Sequence, residues 1–117
     1  MRASKFILTA AIFTVFSASQ TNAAFFTYAE WERLSADSRA AYIAGAYDSL
    51  TTFASAEMER SIKVAQHYRA CVVRTKITNH QLAENVRAYA ATKPELQAMP
   101  VPAAMLHYLL ALCGEVP

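Results

Sequence analysis

Glycine is nearly missing from this chain. Its 117 residues contain two, Gly45 and Gly114, so a glycine-rich phosphate cradle cannot be built and tight hairpin turns have little to form from. No stretch alternates apolar and polar residues over the length of a strand, and alanine is abundant. Runs of Lys or Arg are also absent, which excludes the clustered cations that phosphate backbones require and with them a nucleic-acid partner. None of H-E-x-x-H, C-x-x-C or G-x-S-x-G occurs, so the common zinc, redox and serine-hydrolase signatures are missing. The longest apolar run, Phe6 to Phe16, has eleven residues. A bilayer-spanning helix needs roughly 20.

That run is nonetheless informative by its position. Arg2 and Lys5 precede it and SASQTNAA follows, giving the three-part pattern of a secretory signal peptide over residues 1–23. Cleavage is expected after Ala23, with Ala24 the alternative, and stable membrane insertion after cleavage is not expected. Without Arg2 and Lys5 the eleven Lys and Arg fall to nine, against nine Asp and Glu, so the mature chain is formally neutral. Residues 24–117 suffice for one small domain with one core.

A core of that size gains from a covalent staple. Cys71 and Cys113 are the only cysteines, and in an exported chain an even count reads as disulfide pairing. The bridge would close a loop of about 43 residues, worth on the order of 4 kcal/mol in the chain-entropy model.

The rest reads as all-α, one small domain of four to five helices. Thr27 and Glu30 have capping-box spacing and open a short helix to about Leu34, with Trp31 as its buried anchor. Ser35 caps a longer helix whose Tyr42, Ile43, Ala46, Tyr47, Leu50, Phe53 and Ala54 fall within about 140° of one another. Gly45 lies opposite, where it either admits another backbone or lowers helix propensity. From Met58 to Val72 a second stripe includes Val64, Ala65, Tyr68 and Cys71. Continuity between these two helices is left open, and a kink near Thr51 to Ser55 fits the competition of Ser and Thr for backbone hydrogen bonds.

VVRTKI, β-branched and cationic, breaks the pattern and reads as a loop. Thr78 and Gln81 then repeat the capping box, opening a helix with Leu82, Val86 and Tyr89 inward and His80, Glu84 and Arg87 outward. Pro94 ends it. PELQAMPVP reads as a bend with one turn of helix, after which Pro102 opens and Gly114 closes a last helix with Leu106, Leu109 and Cys113 on its buried side.

No catalytic residue emerges. Cys71 sits near a helix C-terminus, where the dipole disfavours a thiolate, and His80 projects to solvent, so they do not form a nucleophile and base. His67, one turn from Lys63, reads as a solvated surface histidine, and His107, among alanines, as partly buried at a helix contact. The carboxylate pairs Glu30/Glu32 and Glu57/Glu59 diverge on a helix. No metal ligand set and no cofactor are expected.

The order WERLSADSRAAYIAGAYDSL, a cysteine, ITNHQLAENVRAY, KPELQAMP and a final helix ending in a cysteine resembles the Rap/Tai family of small periplasmic immunity proteins of type VI secretion. The likeness covers most of residues 29–113. The positions that carry it are Tyr42 and Gly45 in YIAG, Cys71, Thr78 with Gln81 and Leu82, Val86, Tyr89, Pro94 and Cys113. It implies a periplasmic, non-enzymatic binding protein whose partner is a secreted effector, in that family typically a peptidoglycan amidase, blocked at its active-site cleft; a homodimer is compatible with it. The expected contact surface is Arg74 and Lys76 with the adjoining His80, because this segment leaves the stapled cysteine and carries exposed cations. The alternative is a periplasmic acid-stress chaperone of the Hde type, or another exported helical protein without a toxin partner.

Overall fold

The computed structural model describes residues 26–52 and 59–117. Among them the chain is all-α, with six helices: α1 (Tyr28–Glu32), α2 (Ala36–Thr52), α3 (Glu59–Thr75), α4 (Asn79–Ala91), α5 (Pro94–Gln97) and α6 (Val101–Cys113). One more is present than the four to five expected, because the turn at Pro94 is a helix in its own right.

The helix ends follow from local chemistry. Thr27 Oγ1 accepts from the Glu30 amide while Glu30 Oε2 accepts from the Thr27 amide at 2.9 Å, a reciprocal capping box. Thr78 and Gln81 repeat it at α4, with Gln81 Oε1 accepting from the Thr78 amide at 2.9 Å. Ser35 Oγ accepts from the Ser38 amide at 3.2 Å and so opens α2. Lys93, ahead of Pro94, is extended, which separates α4 from α5. Pro102 lies in the first turn of α6, and Gly114 closes that helix at φ 77°, in the left-handed region that favours glycine.

α4 is the central helix, packed against α2, α6, α5 and α1. Its Leu82, Ala83, Val86 and Ala90 meet Trp31, Ile43, Leu96, Val101, Met105 and Leu109 in one buried cluster. The Trp31 indole N–H donates to the Arg39 carbonyl at 3.3 Å and the Tyr28 hydroxyl to the Arg87 carbonyl at 3.1 Å, so both buried aromatics have their polar ends satisfied. The Tyr28 amide donates to the Met99 carbonyl and the Val101 amide to the Phe26 carbonyl, which stitches the start of α1 to the start of α6.

Two expectations are corrected. VVRTKI is not a loop: α3 continues to Thr75, and the connection to α4 is only Lys76 to Thr78. Propensity costs for Val and Thr are a few tenths of a kcal/mol each, and burial of the disulfide-bonded Cys71 with packing of Val72 against the core outweighs them. Lys76, at φ 54°, provides the stop. On α6, Leu106 and His107 face outward while Ala104, Met105 and Leu109 are buried, with Cys113 half-buried. That helix is apolar nearly all round, so no polar arc marks its outer side. Of the two readings of Gly45, no backbone approaches it closely among the described residues, since a Cβ there would meet nothing within 4 Å, which leaves lowered helix propensity.

The α2 stripe holds where it is described, with Ile43 buried and Tyr42, Ala46, Tyr47 and Leu50 packed against the core. Met58, Glu57, Phe53, Ala54, the signal segment and most of the expected kink lie outside the described residues. The Thr51 hydroxyl does donate back to the Tyr47 carbonyl at 3.0 Å.

Candidate functional site

Cys71 and Cys113 are joined, with their Cα atoms 5.7 Å apart, tying the last turn of α3 to the end of α6. Cys71 is buried, and as half of a disulfide it has no thiol to ionise. Two residues further on, α3 emerges from the core. Val73 is 70% exposed, and Arg74, Thr75 and Lys76 are exposed too. Ile77 packs back against the core, and Thr78 starts α4.

The three residues singled out in the sequence therefore share one corner of the molecule. Arg74 lies in the last turn of α3, where its charge suits the helix dipole, Lys76 in the connection, and His80 in the first turn of α4. Neither Arg74 nor Lys76 forms an ion pair among the described residues. His80 is less free, because its Nε2 lies 3.4 Å from Asp37 Oδ1 at the start of α2. The corner presents two unpaired cations and an exposed valine on a short connection between two capped or stapled helices.

The other histidines depart from expectation. His67 is half-buried, and its Nε2 lies 3.0 Å from the Gly114 carbonyl, which holds the chain after α6 against α3. His107 is exposed on α6. Among the described residues no group of His, Cys, Asp and Glu has the geometry of a metal site, and no helix is long and apolar enough to cross a membrane.

A polar network went unseen in the sequence. Arg39, 9% exposed, donates to Glu84 Oε1 at 2.9 Å, to the Glu32 carbonyl at 3.2 Å and to the Leu34 carbonyl. Arg87 lies 3.3 Å from Glu84 Oε2 and 3.7 Å from Glu32 Oε1. The Arg39 hydrogen bond, aided by Arg87, holds the Glu84 carboxyl below the usual carboxylate range. Burial, with the Glu32 carboxylate nearby, pushes the Tyr28 phenol up. This network binds the end of α1 to α2 and α4, so its role is architectural. The available signal was phase: Arg39 precedes Ile43 by one turn, on the side that faces the core.

Comparison with protein-family models, curated proteins and solved structures returns no match.

Proposed function

We propose that the protein is an exported, non-enzymatic binding protein that captures a secreted effector and obstructs its active site, as immunity proteins of the Rap/Tai kind do with peptidoglycan amidases. The observation that carries the reading is the corner at Arg74 and Lys76. A surface that plugs a cleft must be rigid before it binds, because ordering it on contact costs affinity. Here the disulfide fixes α3 one turn before the corner, the Thr78 capping box fixes α4 just after it, and three residues lie between the helices.

The disulfide is compatible with an oxidising compartment such as the periplasm, where the signal peptide would deliver the chain. The order of Tyr42, Gly45, Cys71, Thr78, Pro94 and Cys113 supports the family likeness, and the exposed cations suit an acidic rim around an effector's cleft.

The test is a titration of the mature, oxidised protein against amidase effectors recovered by pull-down from periplasmic extract or encoded beside its gene. Charge reversal at Arg74→Glu with Lys76→Glu is expected to weaken capture by about tenfold or more. Undiminished capture would remove the corner from the interface. An acid-stress chaperone would instead release apolar, dye-binding surface between pH 7 and pH 2, so a compact and inert form over that range excludes it.

A further inference from the structure

Helix α3 is weakly embedded for its length. It has 17 residues and gives the buried apolar cluster one, Tyr68, whereas α4 has 13 and gives four. Ala65 and Cys71 are buried beside Tyr68 but are small, and Val64 and Val72 pack against the core only in part. Two hydrogen bonds add polar ties to the rest of the domain: Arg69 donates to the Thr51 carbonyl at 3.0 Å, and His67 Nε2 lies 3.0 Å from the Gly114 carbonyl. Bonds of this kind add little net stability, because water serves each group once the helix is released. The remaining tie is the disulfide to α6, placed at the end of α3 that leads into the corner.

Lys76 carries a second, independent observation. Its φ of 54° lies in the left-handed region, which a side chain with a Cβ disfavours, and such a conformation persists only where the surroundings impose it. On one side of Lys76 stands the stapled end of α3, and on the other the Thr78 cap of α4. Releasing α3 would let Lys76 relax.

We propose that the Cys71–Cys113 disulfide is a redox switch on the corner of Arg74 and Lys76. Oxidised, it docks α3 on α6 and presents the corner. As two thiols, it lets α3 leave its seat and pivot at Lys76, while the core of α1, α2, α4, α5 and α6 stays folded. Arg74 then loses its fixed place beside Lys76 and His80. The inference rests on the corner being the capture surface and adds a condition to it: capture begins only when the chain has reached an oxidising compartment, and the dithiol form in the reducing cytosol is inert.

The chemistry is ordinary thiol–disulfide exchange. The thiolate of a dithiol reductant attacks the half-buried Cys113 sulfur, forming a mixed disulfide and expelling Cys71 as a thiolate that takes a proton from water. The reductant's second thiolate then displaces Cys113, which is protonated in turn, and closes the reductant's own disulfide. Two electrons pass to the protein, and a disulfide oxidant returns it by the reverse route.

The test compares the mature protein oxidised, reduced with dithiothreitol, and as Cys71→Ala with Cys113→Ala, which cannot reoxidise. In amide hydrogen exchange at short labelling times, α3 should be protected in the oxidised form and exchanged in the other two, with α4 protected in all three. Trp31 fluorescence should remain that of the folded core throughout, and removing the reductant should restore protection of α3. Capture of the amidase effector, measured on the alanine variant so that no reductant touches the effector, should weaken about tenfold or more.

Protection of α3 that persists without the disulfide overturns the switch. So does loss of the Trp31 signal together with α3, which would make the staple a support of the whole fold, and so does undiminished capture by the alanine variant. Undiminished capture by Arg74→Glu with Lys76→Glu instead overturns the corner as the capture surface, while exchange from α3 still decides whether the disulfide controls docking of that helix.

Discussion

Arg39 on α2 reaches Glu84 on α4 with a 2.9 Å hydrogen-bonded ion pair, and the two side chains differ sharply in exposure, 11% against 48%. The guanidinium also caps two carbonyls at the end of α1. Loss of the arginine would therefore leave two part-buried carbonyls without their donor, whereas loss of the glutamate leaves the arginine its two carbonyl partners. Arg39→Ala is expected to cost about 2–4 kcal/mol and Glu84→Ala about 1 kcal/mol or less. Urea denaturation of the two variants checks the asymmetry, and equal losses would contradict it.

The same pair sets a response to acid. Glu84 has its carboxyl lowered from the ordinary 4.5 by the Arg39 hydrogen bond, and Glu30 is lowered chiefly by the Thr27 amide. A depressed folded-state value means that the ionised form favours folding. The contribution is complete above the unfolded-state value and is lost as pH falls from about 4.5 through the lowered folded value. Melting temperatures should thus fall on acidification below about pH 5, and fall less in Glu84→Gln, which keeps an acceptor but does not titrate. An identical acid slope in the variant would remove Glu84 as a contributor.

The disulfide closes a sequence separation of 42 residues. Replacing both cysteines by serine should cost about 4 kcal/mol in the chain-entropy model, a large share of the stability of a domain this small. Mass spectrometry of the non-reduced protein should show the Cys71–Cys113 peptide pair. Two free thiols there, or an unfolding midpoint indifferent to reductant, would contradict the staple.

Thr78 is expected to contribute as a cap and not through any partner. Thr78→Ala should cost about 1 kcal/mol, and Thr78→Ser most of the way back to zero, because serine restores the acceptor for the Gln81 amide. Thermal unfolding of the pair measures it. Loss of stability in both variants alike would point away from the cap.

What the sequence disclosed divides along the range of the interactions involved. Thr27, Ser35, Thr78 and Gly114 act on neighbours three or four residues away, so their roles could be read from spacing. Trp31 and Ile43 were legible from type and phase. Arg39 was not, because its partner lies 45 residues on and an arginine in phase with a core stripe contradicts binary patterning. VVRTKI misled for the opposite reason: its local preference is against helix, and burial of the preceding turn decides otherwise. On α6 the pattern had nothing to say, since Leu106 and Leu109 are equally apolar and only the position of α4 tells them apart. Of the candidate corner, the cations were legible, but the pairing of His80 with Asp37 depends on how α2 and α4 pack.

Gly45 offers the last prediction, because the space around it separates two explanations for a glycine inside a helix. A mid-helix glycine costs roughly 0.5–1 kcal/mol relative to alanine, from backbone freedom lost on folding. Such a cost is usually offset where a neighbouring backbone comes too close for a Cβ. Here a Cβ would meet nothing within 4 Å, and Gly45 lines an open concavity of about 440 Å³ with Ala41, Ser49 and Pro102. Its backbone angles are not in the left-handed region either, so alanine fits without strain. Gly45→Ala should accordingly raise stability by about 0.5–1 kcal/mol, seen as a higher urea midpoint at unchanged slope. A lower midpoint would mean that, in solution, another chain's backbone lies against this helix, and the loss should then grow with protein concentration.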